Sequence, residues 1–175
     1  ATSDDTAEPT LLETLVKPLE RRPDIALSVC DYYLIDEDGT PVSGRANQGI
    51  DAFLGDWRST PSVRPGSTEF LLTALFGPTW VTMTSVLFRR ELLDKTGLFP
   101  VDVGSAGDLQ WALAALAYSD IAYTPKQLAT WRCHPTQATR KRDVSLAKKQ
   151  NMAAIQAACS QLGNDIPAEI RQHNH

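Results

Sequence analysis

The chain has 175 residues, of which 42% are hydrophobic and 22% charged, with a formal net charge of −4. This is the balance of a globular domain with a real core, neither a disordered segment nor a membrane-embedded one. The acidic total argues against a nucleic-acid binder, which needs clustered Lys and Arg to neutralise phosphates.

The first element in chain order is a helix that opens near Pro9 and carries Leu11, Leu12, Leu15, Val16 and Leu19 on one face. Pro18 removes a backbone donor inside it, so a kink or a short helix is expected before Arg22-Pro23. Residues 25–35 alternate loosely and are rich in β-branched and aromatic side chains, which predicts a buried strand closed by the turn Asp36-Glu37-Asp38-Gly39. Residues 38–68, rich in Gly, Ser, Pro and Arg, read as a long loop with little regular structure.

A short helix is predicted over 68–76 and a strong strand over 80–88, running into a helix over 90–95 that Gly97 stops. Leu109, Ala112, Leu113 and Leu116 then fall at helical spacing behind Asp108, a carboxylate placed where a helix N-terminus favours one. A short strand over 121–123, Pro125 and a second strand follow, the last presenting Arg132 and His134 at its end. Asp143 caps a final helix with Val144, Met152, Ile155, Cys159 and Leu162 on one stripe, ended by Gly163. Strands interleaved with helices at this spacing predict an α/β layer structure with three or four strands of a sheet.

Cys30, Cys133 and Cys159 are odd in number, widely spaced and without a Cys-x-x-Cys pair. They suggest neither a disulfide framework nor a zinc knuckle, and read as thiols of a reducing compartment. No apolar run reaches the length of a membrane span, and no basic-then-apolar leader pattern opens the chain. The expected location is cytoplasmic, including the periphery of a membrane. The dense basic run is Arg140-Lys141-Arg142, with Lys148 and Lys149 beyond it.

Four stretches in order carry a resemblance: Thr2-Ser3-Asp4-Asp5 with Pro9; Arg89-Arg90-Glu91-Leu92-Leu93-Asp94-Lys95-Thr96-Gly97-Leu98-Phe99; Gly107-Asp108; and Arg132-Cys133-His134. Their order and spacing over roughly residues 1–140 resemble the later part of a family 2 glycosyltransferase of the GT-A fold. The family begins with a strand-helix-strand half that holds the nucleotide and ends in the acidic motif, whereas this chain begins at the motif. The resemblance thus implies an incomplete GT-A-like mixed sheet flanked by helices over residues 1–142, with a C-terminal helical tail over 143–175. It implies an acceptor-side portion of a hexosyltransferase-like enzyme, inactive as this chain alone. The family's first Asp stands here as Thr2, and the Glu that usually precedes the base stands as Gly107.

The resemblance also assigns roles. Asp4 and Asp5, with His134, would hold Mg²⁺ or Mn²⁺ against a nucleotide-sugar diphosphate; the plainer role for the two carboxylates is capping ahead of Pro9. Asp108 would be the general base that takes the proton of a hydroxyl acceptor on a glycan, a lipid-linked sugar or a small molecule; its plainer role is helix capping. Arg132 and His134 would stabilise the departing diphosphate, although a strand-end Arg and His also serve as packing residues. Trp80, near Gly77-Pro78, would line the acceptor cleft, where the alternative is an aromatic of the core. Two rival functions use the same residues: a non-catalytic binding or assembly domain on a degenerate scaffold, and a metal-dependent hydrolase built on Asp4, Asp5 and His134.

Overall fold

A computed structural model describes residues 4–44, 55–80, 82–137 and 143–161. The elements are helix α1 (Leu11–Arg21), strands β1 (Leu27–Ile35) and β2 (Pro41–Val42), a 3₁₀ turn (Gly55–Arg58), strand β3 (Ser62–Arg64) and helix α2 (Gly66–Phe76). A 3₁₀ turn (Met83–Ser85), strand β4 (Val86–Phe88), a further turn (Arg90–Leu92) leading into α3 (Leu93–Thr96), and a third turn (Gly104–Ala106) follow. Helix α4 (Gly107–Tyr118), strand β5 (Ile121–Arg132) and helix α5 (Val144–Gln161) complete them. The described residues form a mixed α/β fold with one mixed, five-stranded sheet.

β1 is the centre of that sheet. It pairs in parallel with β5 from Leu27↔Ile121 to Ile35↔Arg132, so both strands finish at the same end. Its other edge is shared by β4, antiparallel at Leu27–Val29, and β2, antiparallel at Leu34 and Ile35. β5 is covered on its far edge by β3 at one end and by residues 6–8 at the other, where Ala7 bridges Ala129. Cys30 pairs with Thr124 but Asp31 pairs with Gln127, so Pro125 and Lys126 bulge out of register. Pro125 has no N–H to give the ladder. The two predicted strands around it are therefore one strand with a bulge.

Each face of the sheet has its own core. Leu11 and Leu15 of α1 pack with Cys30, Tyr32, Leu128 and Ala129 on one face. On the other, α2, α4 and α5 cover Leu27, Val29, Ile121 and Tyr123, with Leu113, Leu116, Ile155 and Cys159 buried among them. The final helix thus shares the main core. Asp143 caps it as expected, its Oδ1 accepting from Leu146 N at 3.0 Å, while Val144 is exposed. Leu162 and Gly163 lie outside the described residues.

Local chemistry explains where the elements depart from expectation. α1 continues through Pro18 to Arg21, losing only the bond that Pro18 cannot donate. α2 begins at Gly66, a residue with poor helix propensity. A Cβ there would sit 2.3 Å from the Leu116 carbonyl and 2.4 Å from that of Ser119, so only glycine lets α2 lie against the end of α4. The strand expected over 80–88 is confined to Val86–Phe88, because Thr82 Oγ1 accepts from Thr84 N at 3.2 Å and closes a turn instead. Within 38–68, β2, the Gly55–Arg58 turn and β3 supply structure that a loop reading missed.

Candidate functional site

The end of the sheet where β1 and β5 both finish collects most of the motif residues. Residues 6–8 run beside β5, with Glu8 N donating to Leu128 O at 2.8 Å and Thr130 N to Thr6 O at 2.9 Å. Thr130 Oγ1 accepts from Thr6 N at 2.7 Å. This pairing delivers Asp4 and Asp5 to the end of β5.

Asp4 and His134, 130 positions apart, meet there with Oδ2 and Nε2 separated by 3.4 Å. Both side chains remain partly open, at 42% and 24% exposure. His134 Nδ1 lies 2.8 Å from Thr136 Oγ1, which turns the imidazole so that Nε2 faces Asp4. Of the two carboxylates expected near His134, Asp4 and Asp5, it is Asp4 that meets the imidazole.

Asp5 occupies the same corner with its carboxylate engaged. Oδ1 accepts from Arg132 N at 2.8 Å, and Oδ2 accepts from Thr82 Oγ1 at 2.6 Å. Thr84 Oγ1 stands 3.5 Å from the same oxygen. Arg132 is engaged too. Its Nε donates to Asp4 O at 2.8 Å, and its Nη1 to Asp36 O and Glu37 O at 2.9 Å each. Asp5 and Arg132 thus tie four segments together: the first residues, the turn after β1, the turn at Thr82 and the end of β5. The turn is closed by Asp36 Oδ1, which accepts from Asp38 N and Thr40 N, and by Gly39 at φ +88°.

The remaining candidate residues have surroundings of their own. Asp108 is exposed in the first turn of α4, where its Oδ1 accepts from Leu109 N at 2.7 Å. The residue at the cap position is Ala106, without a side-chain cap bond, so Asp108 acts on the helix from inside the first turn. Gly107 has a steric reason: a Cβ would come within 2.4 Å of the Pro100 carbonyl, so no Glu fits before Asp108. Trp80 is 3% exposed and lies in the main core, with no open face for a sugar. Thr2 and the run Arg140-Lys141-Arg142 lie outside the described residues.

Asp4 Oδ2 and His134 Nε2 are 3.4 Å apart, slightly wider than two cis ligands of one ion. Two cis ligands with bonds of about 2.1 Å stand about 3 Å apart. A carboxylate suits Mg²⁺ or Mn²⁺, and an imidazole nitrogen tips the pair away from Mg²⁺. Among the described residues no cluster of three or more His, Cys, Asp or Glu is poised for a metal.

Sequence reasoning missed Thr82, Thr84, Thr130 and Thr136. Only Thr136 had a local signal, two residues from His134; the others reach Asp5 and Thr6 across 77 to 124 positions. It also missed a second polar group, buried between the sheet and α2. Arg64 is 1% exposed and Glu69 0%, with Arg64 Nη1 donating to Glu69 Oε1 at 3.1 Å. Thr79 Oγ1 donates to the other oxygen of Glu69 at 2.7 Å.

The three cysteines are free, as their spacing implied. Burial pushes the Cys30 thiol up to about 11. No described helix is long and apolar enough to cross a membrane. No protein-family model matches the chain, and no curated protein matches it.

Proposed function

We propose that this chain is the acceptor-side part of an inverting glycosyltransferase of the GT-A type, moving a sugar from a nucleotide-sugar to a hydroxyl acceptor. The observation that carries the reading is the meeting of Asp4 and His134 at 3.4 Å, from opposite ends of the motif order. The mixed sheet, with a parallel pair at its centre, is compatible with that architecture.

In this reading Asp4 and His134 hold the divalent ion, Mn²⁺ in preference to Mg²⁺. When bound, the ion supplies Lewis-acid neutralisation of the donor diphosphate. Asp5 keeps Arg132 and Thr82 in place, and Arg132 fixes the backbone of Asp4 and of the Asp36-Glu37 turn. Their contribution to the leaving group is positional, since Nε and Nη1 of Arg132 already serve carbonyls. Asp108 takes the proton from the acceptor hydroxyl as its oxygen attacks the anomeric carbon. The bond from that carbon to the diphosphate breaks on the opposite face, which inverts the centre.

A second reading is favoured by the engagement of Asp5: a non-catalytic domain in which the acidic motif is retained as a structural clasp. One substitution in the complete transferase separates the two. Asp108→Asn should abolish transfer while Mn²⁺ affinity and melting temperature stay near wild type. If Asp108 only favours its helix, the change costs at most about 1 kcal/mol of stability and turnover survives.

A further inference from the structure

The buried pair of Arg64 and Glu69 has no part in the proposed transfer step, and such a pair is rarely more stabilising than apolar side chains of the same volume. Its remaining bonds show what it holds. Arg64 Nη2 donates to the carbonyl of Trp57 at 2.7 Å, and the guanidinium lies 3.9 Å from the centre of the Tyr123 ring. Tyr123 Oη donates to the next carbonyl, that of Arg58, at 3.0 Å. The Arg58 side chain in turn reaches Asp31 Oδ1 at 3.6 Å, both groups being nearly buried.

Two consecutive residues of one short turn are thus fastened to β3, β5 and β1. What the turn presents is an indole. Trp57 is 43% exposed, whereas Trp80 is 3% and Trp111 1% exposed. The Arg64 guanidinium stands 5.8 Å from the Trp57 ring centre. A large exposed aromatic on a rigidly anchored turn is a surface that needs no ordering when a ligand lands on it.

We infer that Trp57 is a carbohydrate platform, stacking its indole on the C–H face of a pyranose in an oligosaccharide acceptor. The class of ligand rests on the glycosyl-transfer reading. Asp31, which anchors the Arg58 side chain, precedes Ile35, the register partner of Arg132, by four residues, about 13 Å of strand, and this sets the turn towards the other end of β1 from the Asp4 and His134 corner. The platform therefore recognises a sugar further along the acceptor chain, and favours oligosaccharides over monosaccharides.

The test is a titration of the intact chain followed through its indole N–H signals. Four tryptophans give four cross-peaks, and Trp57→Phe assigns one of them by its disappearance. Cellotetraose, chitotetraose and maltotetraose serve as probes, with glucose and N-acetylglucosamine as monosaccharide controls. The Trp57 signal should shift with at least one tetrasaccharide and with neither monosaccharide. Trp57→Ala should weaken that tetrasaccharide by about tenfold or more, while Trp57→Phe retains most of the affinity. Binding of Mn²⁺ with pyrophosphate, which depends on Asp4 and His134, should change by less than about twofold in both variants. Silence of the Trp57 signal with all three tetrasaccharides overturns the platform, as does tetrasaccharide affinity that survives Trp57→Ala. Failure of the wild-type chain to bind Mn²⁺ with pyrophosphate would instead remove the transferase reading and leave a glycan platform standing.

Discussion

Two polar regions of this molecule handle charge in opposite ways. At the shared end of β1 and β5, carboxylates and cations are partly open and divide their bonds between backbone groups and hydroxyls, and Asp4 and His134 keep atoms facing solvent. Between the sheet and α2, Arg64 and Glu69 are closed off and bond to each other, to Thr79 and to the Trp57 carbonyl. An exposed group can change partners when a ligand arrives, at little cost to the fold. A buried pair cannot lose one member without stranding the other. The first region is therefore suited to binding, and the second to holding something in place.

The largest expected effect breaks the buried side of this contrast. Glu69→Ala leaves the Arg64 guanidinium uncompensated and should cost about 3–5 kcal/mol by denaturant titration. A loss as small as that of a surface substitution would mean the pair is not what fixes the turn.

Asp5 lies between the two extremes. Asp5→Asn keeps an acceptor but loses the charge that strengthens the bonds from Arg132 N and Thr82 Oγ1, a cost of about 1–2 kcal/mol. A change near zero would return Asp5 to the ligand side of the comparison.

The pH dependence of stability sharpens the same contrast for a buried thiol. Above about pH 9 the unfolded Cys30 ionises, while the native thiol keeps its proton up to about 11. The native state then binds more protons, so stability is full below pH 9 and falls from there towards pH 11. Burial raises Cys159 as well, and the bond to Glu8 raises Tyr33, so both act in the same sense. Cys30→Ala should make the slope shallower; an unchanged slope would assign it to the other groups. The smallest effect belongs to the open site, where Asp4→Asn and His134→Ala should each change stability by less than about 0.5 kcal/mol.

How far the sequence disclosed these regions follows from the range of the interactions. β1, the Asp36 to Gly39 turn, the stop at Gly97 and the Asp143 cap rest on neighbouring residues, and each appears where spacing and residue type placed it. The gathering of Asp4, Asp5, Arg132 and His134 was legible through motif order. Its threonine supports were not, since nothing local links Thr82 to Asp5. The Arg64 and Glu69 pair lay five positions apart and unread, because a charged residue in a Pro- and Ser-rich stretch ordinarily means solvent. Gly66 lay before the helix predicted over 68–76, and Gly107 stood only as a departure from the Glu of the resemblance. Only the carbonyls of Leu116, Ser119 and Pro100 explain them.

The account stands most directly on the Asp4 and His134 pair as a cation site completed by phosphate. Calorimetric titration of Mn²⁺ in the presence of pyrophosphate, on wild type, Asp4→Asn and His134→Ala, measures it without any nucleotide. Wild-type binding that falls by about tenfold or more in each variant, with melting temperatures unchanged, is the predicted result. Equal affinity in all three proteins would contradict it.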